Sequence, residues 1–352
     1  MSSETPPPGR KPKPPMSRLM RLSLRAVDWV TDATRRGDGT LNRVALSLLD
    51  PRVPAFSSPC RGVSSRDIVL RPDSSPRLRA RLFYPTAVSK GSSTSPLPVI
   101  VFFHGGGFAF LSAASAAFDG VCRRLCREVN AVLSVDYRRA PEHRFPAPYD
   151  DGLSALRFLD DEHAIVEPPL DVSRCYLAGD SAGGNIAHHV ARRFATECST
   201  FRNVRVAGVV AIQPFFGGEE RTESEMRLDG AAPIVSVSRT DWMWRAFLPD
   251  GCDRTHEACC VVDDASCAGV ESPAFPPVLL VVGGYDPLQD WQRRYADVLR
   301  SKGKEVRVVE YPDAIHAFYL FPVFDDARDL MIRIAHFVAE SAAAAGEGGG
   351  SE

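Results

Sequence analysis

The sequence predicts an α/β protein built on a mostly parallel sheet, and three observations carry that expectation. Near-continuous apolar runs recur along the chain, helical patterns fall between them, and an alternating apolar–polar hairpin precedes them. The 352 residues are 44% hydrophobic and 24% charged, enough for a sizeable core. Basic and acidic residues number 42 and 44, a net charge of −2. No Lys/Arg cluster with interleaved aromatics occurs, so nucleic acid is not an expected partner.

Residues 1–17 are Pro-rich and basic, which predicts a disordered tail. From Arg18 to Val30 the residues Leu19, Leu22, Ala26 and Trp29 recur at helical spacing, predicting an amphipathic helix docked by that stripe. A transit peptide has the same basic, amphipathic character, but a docking helix accounts for the stripe as well. No apolar run is long enough for a signal peptide or for the roughly 18 residues of a membrane span. The expectation is a cytosolic protein, with the nucleus also open to it.

The segments Asp67–Leu70 and Leu78–Tyr84 alternate in the manner of a half-exposed antiparallel hairpin. Strands buried on both faces are expected at Val99–Phe103, Ala131–Val135, Cys175–Ala178, Val206–Ile212 and Val278–Val282, with one more at Val306–Tyr311. Helices are expected at Ala114–Val129, Asp151–Glu162, Asn185–Glu197, Trp291–Lys302 and Asp325–Ala345. The result is an eight-stranded sheet with helices on both faces in one domain, residues 18–345, followed by a Gly-rich tail, 346–352. Two segments, 18–58 and 214–272, break the alternation and are expected to form a lid over the carboxyl ends of the strands. Their aromatics Trp29, Phe56, Phe215, Phe216, Trp242, Trp244 and Phe247 would line a pocket or pack the cap on the body.

Nine cysteines occur without any CxxC pair, so neither a zinc site nor any other metal site is expected, and the cluster Cys252–Cys267 reads as thiols in a reducing compartment. The chemistry lies elsewhere. Gly179-Asp180-Ser181-Ala182-Gly183 follows a strand and opens a helix, the setting a nucleophile elbow needs. His104-Gly105-Gly106-Gly107 follows another strand, and its glycines let the backbone amides of Gly106 and Gly107, with that of Ala182, converge on an oxyanion. No phosphate-binding glycine pattern follows it, and no cofactor is expected. Asp286 and His316 each lie just past a strand, completing the chain order Ser, acid, His. Asp290 and Asp313 are nearby competitors for the acid, although Asp290 could cap the following helix.

The HGGG at 104–107, the GDSAGGN at 179–185 and the block Tyr137-Arg138-Arg139-Ala140-Pro141-Glu142 resemble the hormone-sensitive-lipase group of α/β hydrolases. The resemblance is closest to its plant carboxylesterases and to the gibberellin receptors that descend from them. It extends from about residue 27, through Arg35–Arg43, Glu220–Glu225 and Asp241–Pro249. It implies an α/β-hydrolase fold and hydrolysis of a small-molecule ester. Gibberellin receptors replace the triad histidine with an apolar residue and carry an Asp-Arg pair and a Tyr in the pocket. This chain instead has His316, Arg239-Thr240 and Met243. The expected function is a carboxylesterase. The alternatives are a receptor-like small-molecule binder, the one case that calls for a protein partner, and a dehydratase or lyase. Plant isoflavanone dehydratases, similar in sequence, commonly carry Thr at the nucleophile position where Ser181 stands here.

Overall fold

A computed structural model describes residues 13–71, 73, 75–86, 95–163, 166–263 and 266–347; of the tails expected at 1–17 and 346–352, residues 1–12 and 348–352 lie outside the described residues. Eight strands form one sheet: β1 (Val63–Arg71), β2 (Leu78–Pro85), β3 (Leu97–Phe103), β4 (Ala131–Asp136), β5 (Leu170–Asp180), β6 (Val206–Ile212), β7 (Val278–Tyr285) and β8 (Val306–Ile315). Their order is β1-β2-β4-β3-β5-β6-β7-β8. The β1–β2 and β2–β4 pairings are antiparallel and the rest parallel, so β2 alone runs against its neighbours.

The apolar runs follow from this geometry. Successive side chains of a strand face opposite sides, and here both sides are covered. Val99, Val101 and Phe103 of β3 join one core cluster with Leu177, Val209 and Leu280. Ile100 and Phe102 join the other with Tyr176, Val210 and Leu279. The first face is closed by α4 (Ala147–Glu162), α5 (Ala182–Glu197) and α8 (Gln289–Ser301), through residues such as Leu156, Ile186 and Tyr295. The second is closed by α3 (Ala116–Val129) and α9 (Asp325–Glu347), through Val121, Leu125 and Ile334. Each such side chain contributes about 1.5–3 kcal/mol by leaving water.

Several helix ends differ from the sequence expectation. Helix α4 begins four residues before Asp151 because Pro148 is tolerated in a first turn. Helix α5 begins at Ala182, directly behind Ser181, rather than at Asn185. Helix α9 continues through Glu347, into the segment whose composition suggests a tail. At the other end, Pro14 is buried and its carbonyl accepts from Arg21.

The N-terminal segment forms α1 (Arg18–Ala33) and α2 (Arg43–Leu49), and the insertion after β6 forms α6 (Glu223–Leu228) and α7 (Val237–Phe247). Helix α1 does not dock by the stripe its periodicity suggests. Leu19, Leu22 and Trp29 are largely exposed, while Leu24 is buried and Met20 packs on the core. Charge chooses the docked face. Arg239 of α7 donates to Asp28 at 2.6 Å and to Asp32 at 2.7 and 2.8 Å, and Asp28 also accepts from the Ile234 N–H. A second anchor is Arg43, which reaches Glu142 and the carbonyls of Ala109 and Ala140. Of the seven lid and cap aromatics, Phe215, Phe216, Trp244 and Phe247 are buried, whereas Trp29 and Phe56 face solvent. Phe247 stacks on Phe108 at 3.7 Å between ring centroids, and Trp244 lies 4.3 Å from Phe215.

The hairpin is fastened to α3 by a buried charge cluster. Asp119 accepts from Arg123 Nε at 2.7 Å and from Arg81 at 3.4 Å, while Arg123 also binds the Val63 carbonyl and Ser65. Removing this carboxylate leaves the buried Arg123 guanidinium without an acidic partner, while Arg81 keeps Asp67 at 2.7 and 3.1 Å. Asp119→Ala is therefore expected to lower the urea unfolding free energy by about 3 kcal/mol or more. A loss under about 1 kcal/mol contradicts that role.

Candidate active site

Ser181 lies between β5 and α5 with φ 51° and ψ −119°. A non-glycine residue at positive φ is strained, and it persists where the surroundings fix it. Here Ser181 N–H donates to Ile212 O at 2.9 Å, and its carbonyl accepts from Phe215 and Asn185. Gly183 is required by close approach: a Cβ there would lie 1.9 Å from the Phe103 carbonyl oxygen. Asn185 then ties α5 to the insertion, donating to the carbonyls of Phe215 and Ala258 and accepting from Tyr149 at 2.6 Å. The side chain of Ser181 is thereby held at the carboxyl edge of the sheet and is partly exposed.

The glycine loop follows β3 on the same edge. Gly106 has φ 111°, natural only to glycine, and Gly107 has φ 57°, left-handed backbone that favours glycine. The Gly105 N–H is held by Asp180 Oδ1 at 2.7 Å. Among the described residues, the N–H groups of Gly106, Gly107 and Ala182 donate to no other protein atom. The Tyr137–Glu142 block supports this loop from below. His104 stacks on Tyr137 at 4.3 Å, the Tyr137 hydroxyl donates to the His104 carbonyl at 2.8 Å, and Ala140 N–H donates to Phe108 O at 3.0 Å. Burial holds the His104 pKa down at about 4, so its ring is neutral. Met243 of α7 overlies the loop: a Cβ on Gly107 would meet its sulfur at 2.2 Å.

His316 Nδ1 lies 2.8 Å from Asp286 Oδ2, and both side chains are buried. Asp286 accepts further from Leu288 N–H at 3.0 Å and from Gln292 Nε2 at 2.9 Å. The competing acids are accounted for. Asp290 caps neither its own helix nor His316 but binds Ser224 at the start of α6, and Asp313 is exposed. The Ser181 hydroxyl makes no hydrogen bond to a described residue. Ser181 is linked to His316 through the chain from Ile212 to Gln213, whose side chain binds both neighbours of the histidine.

Two acids and a base meet at this sheet edge. Burial opposes a charged His316, but the Asp286 carboxylate, its hydrogen bond and nearby Asp180 outweigh it, and the pKa is raised from 6.5. Burial pushes Asp180 up to about 6 against the pull of the Tyr319 hydroxyl, His316 and the Gly105 N–H. The sequence pattern does not disclose the roles of Asp180 and Gln213, which act across long chain separations, or of Gln292, which reaches Asp286 from within α8 without a recognisable motif. The only local signal is that Asp180 is the variable position of the GxSxG motif. The cysteines at 259, 260 and 267 are buried free thiols packing the insertion, and no metal-ligating cluster occurs among the described residues. A cavity of about 450 Å³ lined by Phe194, Arg205, Phe275 and Pro277 lies at the amino ends of β6 and β7, away from Ser181.

A strand–elbow–helix serine, a glycine loop and an Asp–His pair on one sheet edge define the α/β hydrolases. The family described as the alpha/beta hydrolase fold matches residues 100–320, and the chain belongs to it. The chain is 44% identical over 314 residues to the gibberellin receptor GID1C of Arabidopsis thaliana, covering 86% of this chain and 89% of that one. It is 37% identical to carboxylesterase 20 of the same plant, covering 76% and 83%. Among solved structures it resembles an ester hydrolase from the metagenome of Lake Arreo, with TM-score 0.71, 28% identity and coverage of 92% and 99%. A hyperthermophilic esterase of Pyrobaculum calidifontis gives 0.69, 27%, 93% and 99%. No described helix is long and apolar enough to cross a membrane.

The raised pKa of His316 has a testable sign. In an NMR titration its imidazole is expected to gain its proton above pH 6.5, and Asp286→Asn should bring that midpoint below 6.5, since burial then dominates. A midpoint unmoved by Asp286→Asn contradicts the pairing.

Proposed function

We propose that this chain is a carboxylesterase acting on small carboxylic esters through Ser181, His316 and Asp286. The observation that carries the reading is the buried His316–Asp286 pair at 2.8 Å, on the sheet edge that holds Ser181. Neutral His316 takes the Ser181 proton as Oγ attacks the ester carbonyl. The oxyanion is received by the N–H groups of Gly106, Gly107 and Ala182, a type of contact worth about 3 kcal/mol per donor. The imidazolium, stabilised by Asp286, then protonates the leaving alcohol. Water attacks the resulting acyl-enzyme by the same steps in reverse, releasing the acid and restoring Ser181. None of these steps needs a cofactor or metal. Because His316 must be neutral to begin, kcat/KM should rise as pH passes its raised pKa.

Helices α1, α2 and α7 act in this reading as a lid, and Met243 over Gly107 forms part of the pocket wall. The second reading, a gibberellin-binding protein that recruits a protein partner, is favoured by the 44% identity to a gibberellin receptor. It is favoured also by the exposed Leu19, Leu22, Trp29, Val44 and Leu48 on α1 and α2. A binder needs no general base, so His316 and its buried partner tell against it.

The test is hydrolysis of p-nitrophenyl acyl esters by the pure protein. Ser181→Ala is expected to lower kcat by about 10⁴-fold or more. Turnover unchanged by that substitution, or its absence in the unmutated chain together with calorimetric heat on adding a gibberellin, sinks the esterase reading.

A further inference from the structure

We infer that Gln213 is a positioning residue for His316, its side-chain amide gripping the backbone on both sides of the imidazole. The inference rests on the esterase reading for its catalytic consequence, but not for its geometry.

Strand β6 ends at Ile212, and Gln213 turns out of it at φ 43° while its own N–H still donates to Val281 O at 2.9 Å. The side chain is buried, at 1% exposure. Its Nε2 donates to Ile315 O at 3.1 Å, and its Oε1 accepts from Ala317 N–H at 2.8 Å. One planar amide thus meets the residues immediately before and after His316. It supplies across β7 the donor and acceptor that a neighbouring strand would offer in a ladder. Strand β7 leaves room for this: a Cβ on Gly283 would lie 2.4 Å from Gln213 Nε2.

Strain marks both ends of the contact. Gln213 and Ala317, at φ 43° and 59°, are non-glycine residues in the left-handed region. Each such conformation is strained and persists only where the surroundings over-determine it. The two Gln213 hydrogen bonds supply that determination for the turn that presents His316. The residue type follows from the chemistry. Glutamate offers no donor to Ile315, leucine offers neither group, and asparagine is one methylene too short. The next residue extends the grip, since Pro214 O accepts from Gln292 Nε2 at 3.4 Å, and Gln292 donates to Asp286 at 2.9 Å. Gln213 touches neither the imidazole nor Ser181. Its effect passes through the His316 backbone.

The test uses the purified full-length chain. In the unmutated protein the His316 Nδ1–H shared with Asp286 should give a far-downfield proton resonance, read without substrate. Gln213→Leu, of similar volume, should keep the far-UV circular dichroism but broaden or abolish that resonance. It should lower kcat for p-nitrophenyl acetate roughly tenfold or more while KM changes less than about threefold. If Gln213→Leu does not fold, Gln213→Glu, which keeps the acceptor for Ala317, is read in its place and should weaken the same resonance. A folded variant with an unchanged resonance and kcat within about twofold of the unmutated enzyme overturns the inference. Failure of the unmutated chain to hydrolyse any ester sinks the esterase reading alone, because the resonance is read independently.

Discussion

The chemistry proposed for this molecule depends on one buried carboxylate. Asp286 has no exposed surface, and it stays paired because His316, Leu288 and Gln292 surround it with donors. A buried charge without such partners would cost several kcal/mol. Everything around the pair serves to bring those donors together. Strand β7 delivers Asp286, β8 delivers His316, and the kink at Gln213 joins the end of β6 to the histidine turn. The elbow at Ser181 closes on the same β6 terminus through Ile212.

Parts of this arrangement are legible in the sequence for a simple reason. A strand buried on both faces must be apolar throughout, so Val99–Phe103 and Val278–Val282 announce themselves. The elbow and glycine loop are legible because only glycine tolerates the approach of Gly183 to the Phe103 carbonyl or the φ of Gly106. Motif and strand position therefore select Ser181, Asp286, His316, Gly106, Gly107 and Ala182 together, and in the structure they lie on one sheet edge.

What was hidden is equally instructive. The docked face of α1 is set by Asp28 and Asp32 meeting Arg239, over 200 residues away, and not by Leu19, Leu22 and Trp29. Apolar periodicity alone could not reveal that. Asp290 has the placement of a helix cap yet serves Ser224 across the interface between α6 and α8. Gln213 and Gln292 carry no motif of their own, and Asp180 holds only the variable position of one, because a buried amide or carboxyl is recognised only by the partners that satisfy it. The Tyr137–Glu142 block, visible as a pattern, acquires a cause: it braces the glycine loop through His104 and Phe108.

Kinship with both receptors and esterases leaves a single residue pair to separate the two behaviours. In the proposed reading the Asp286–His316 pair is what makes Ser181 a nucleophile. The most direct measurement is mass spectrometry of the intact protein after treatment with a serine-reactive phosphonate, followed by peptide mapping. The account predicts one stoichiometric adduct on Ser181 that is lost in His316→Ala. Labelling at another residue, or labelling of Ser181 that persists at full rate without His316, would contradict it.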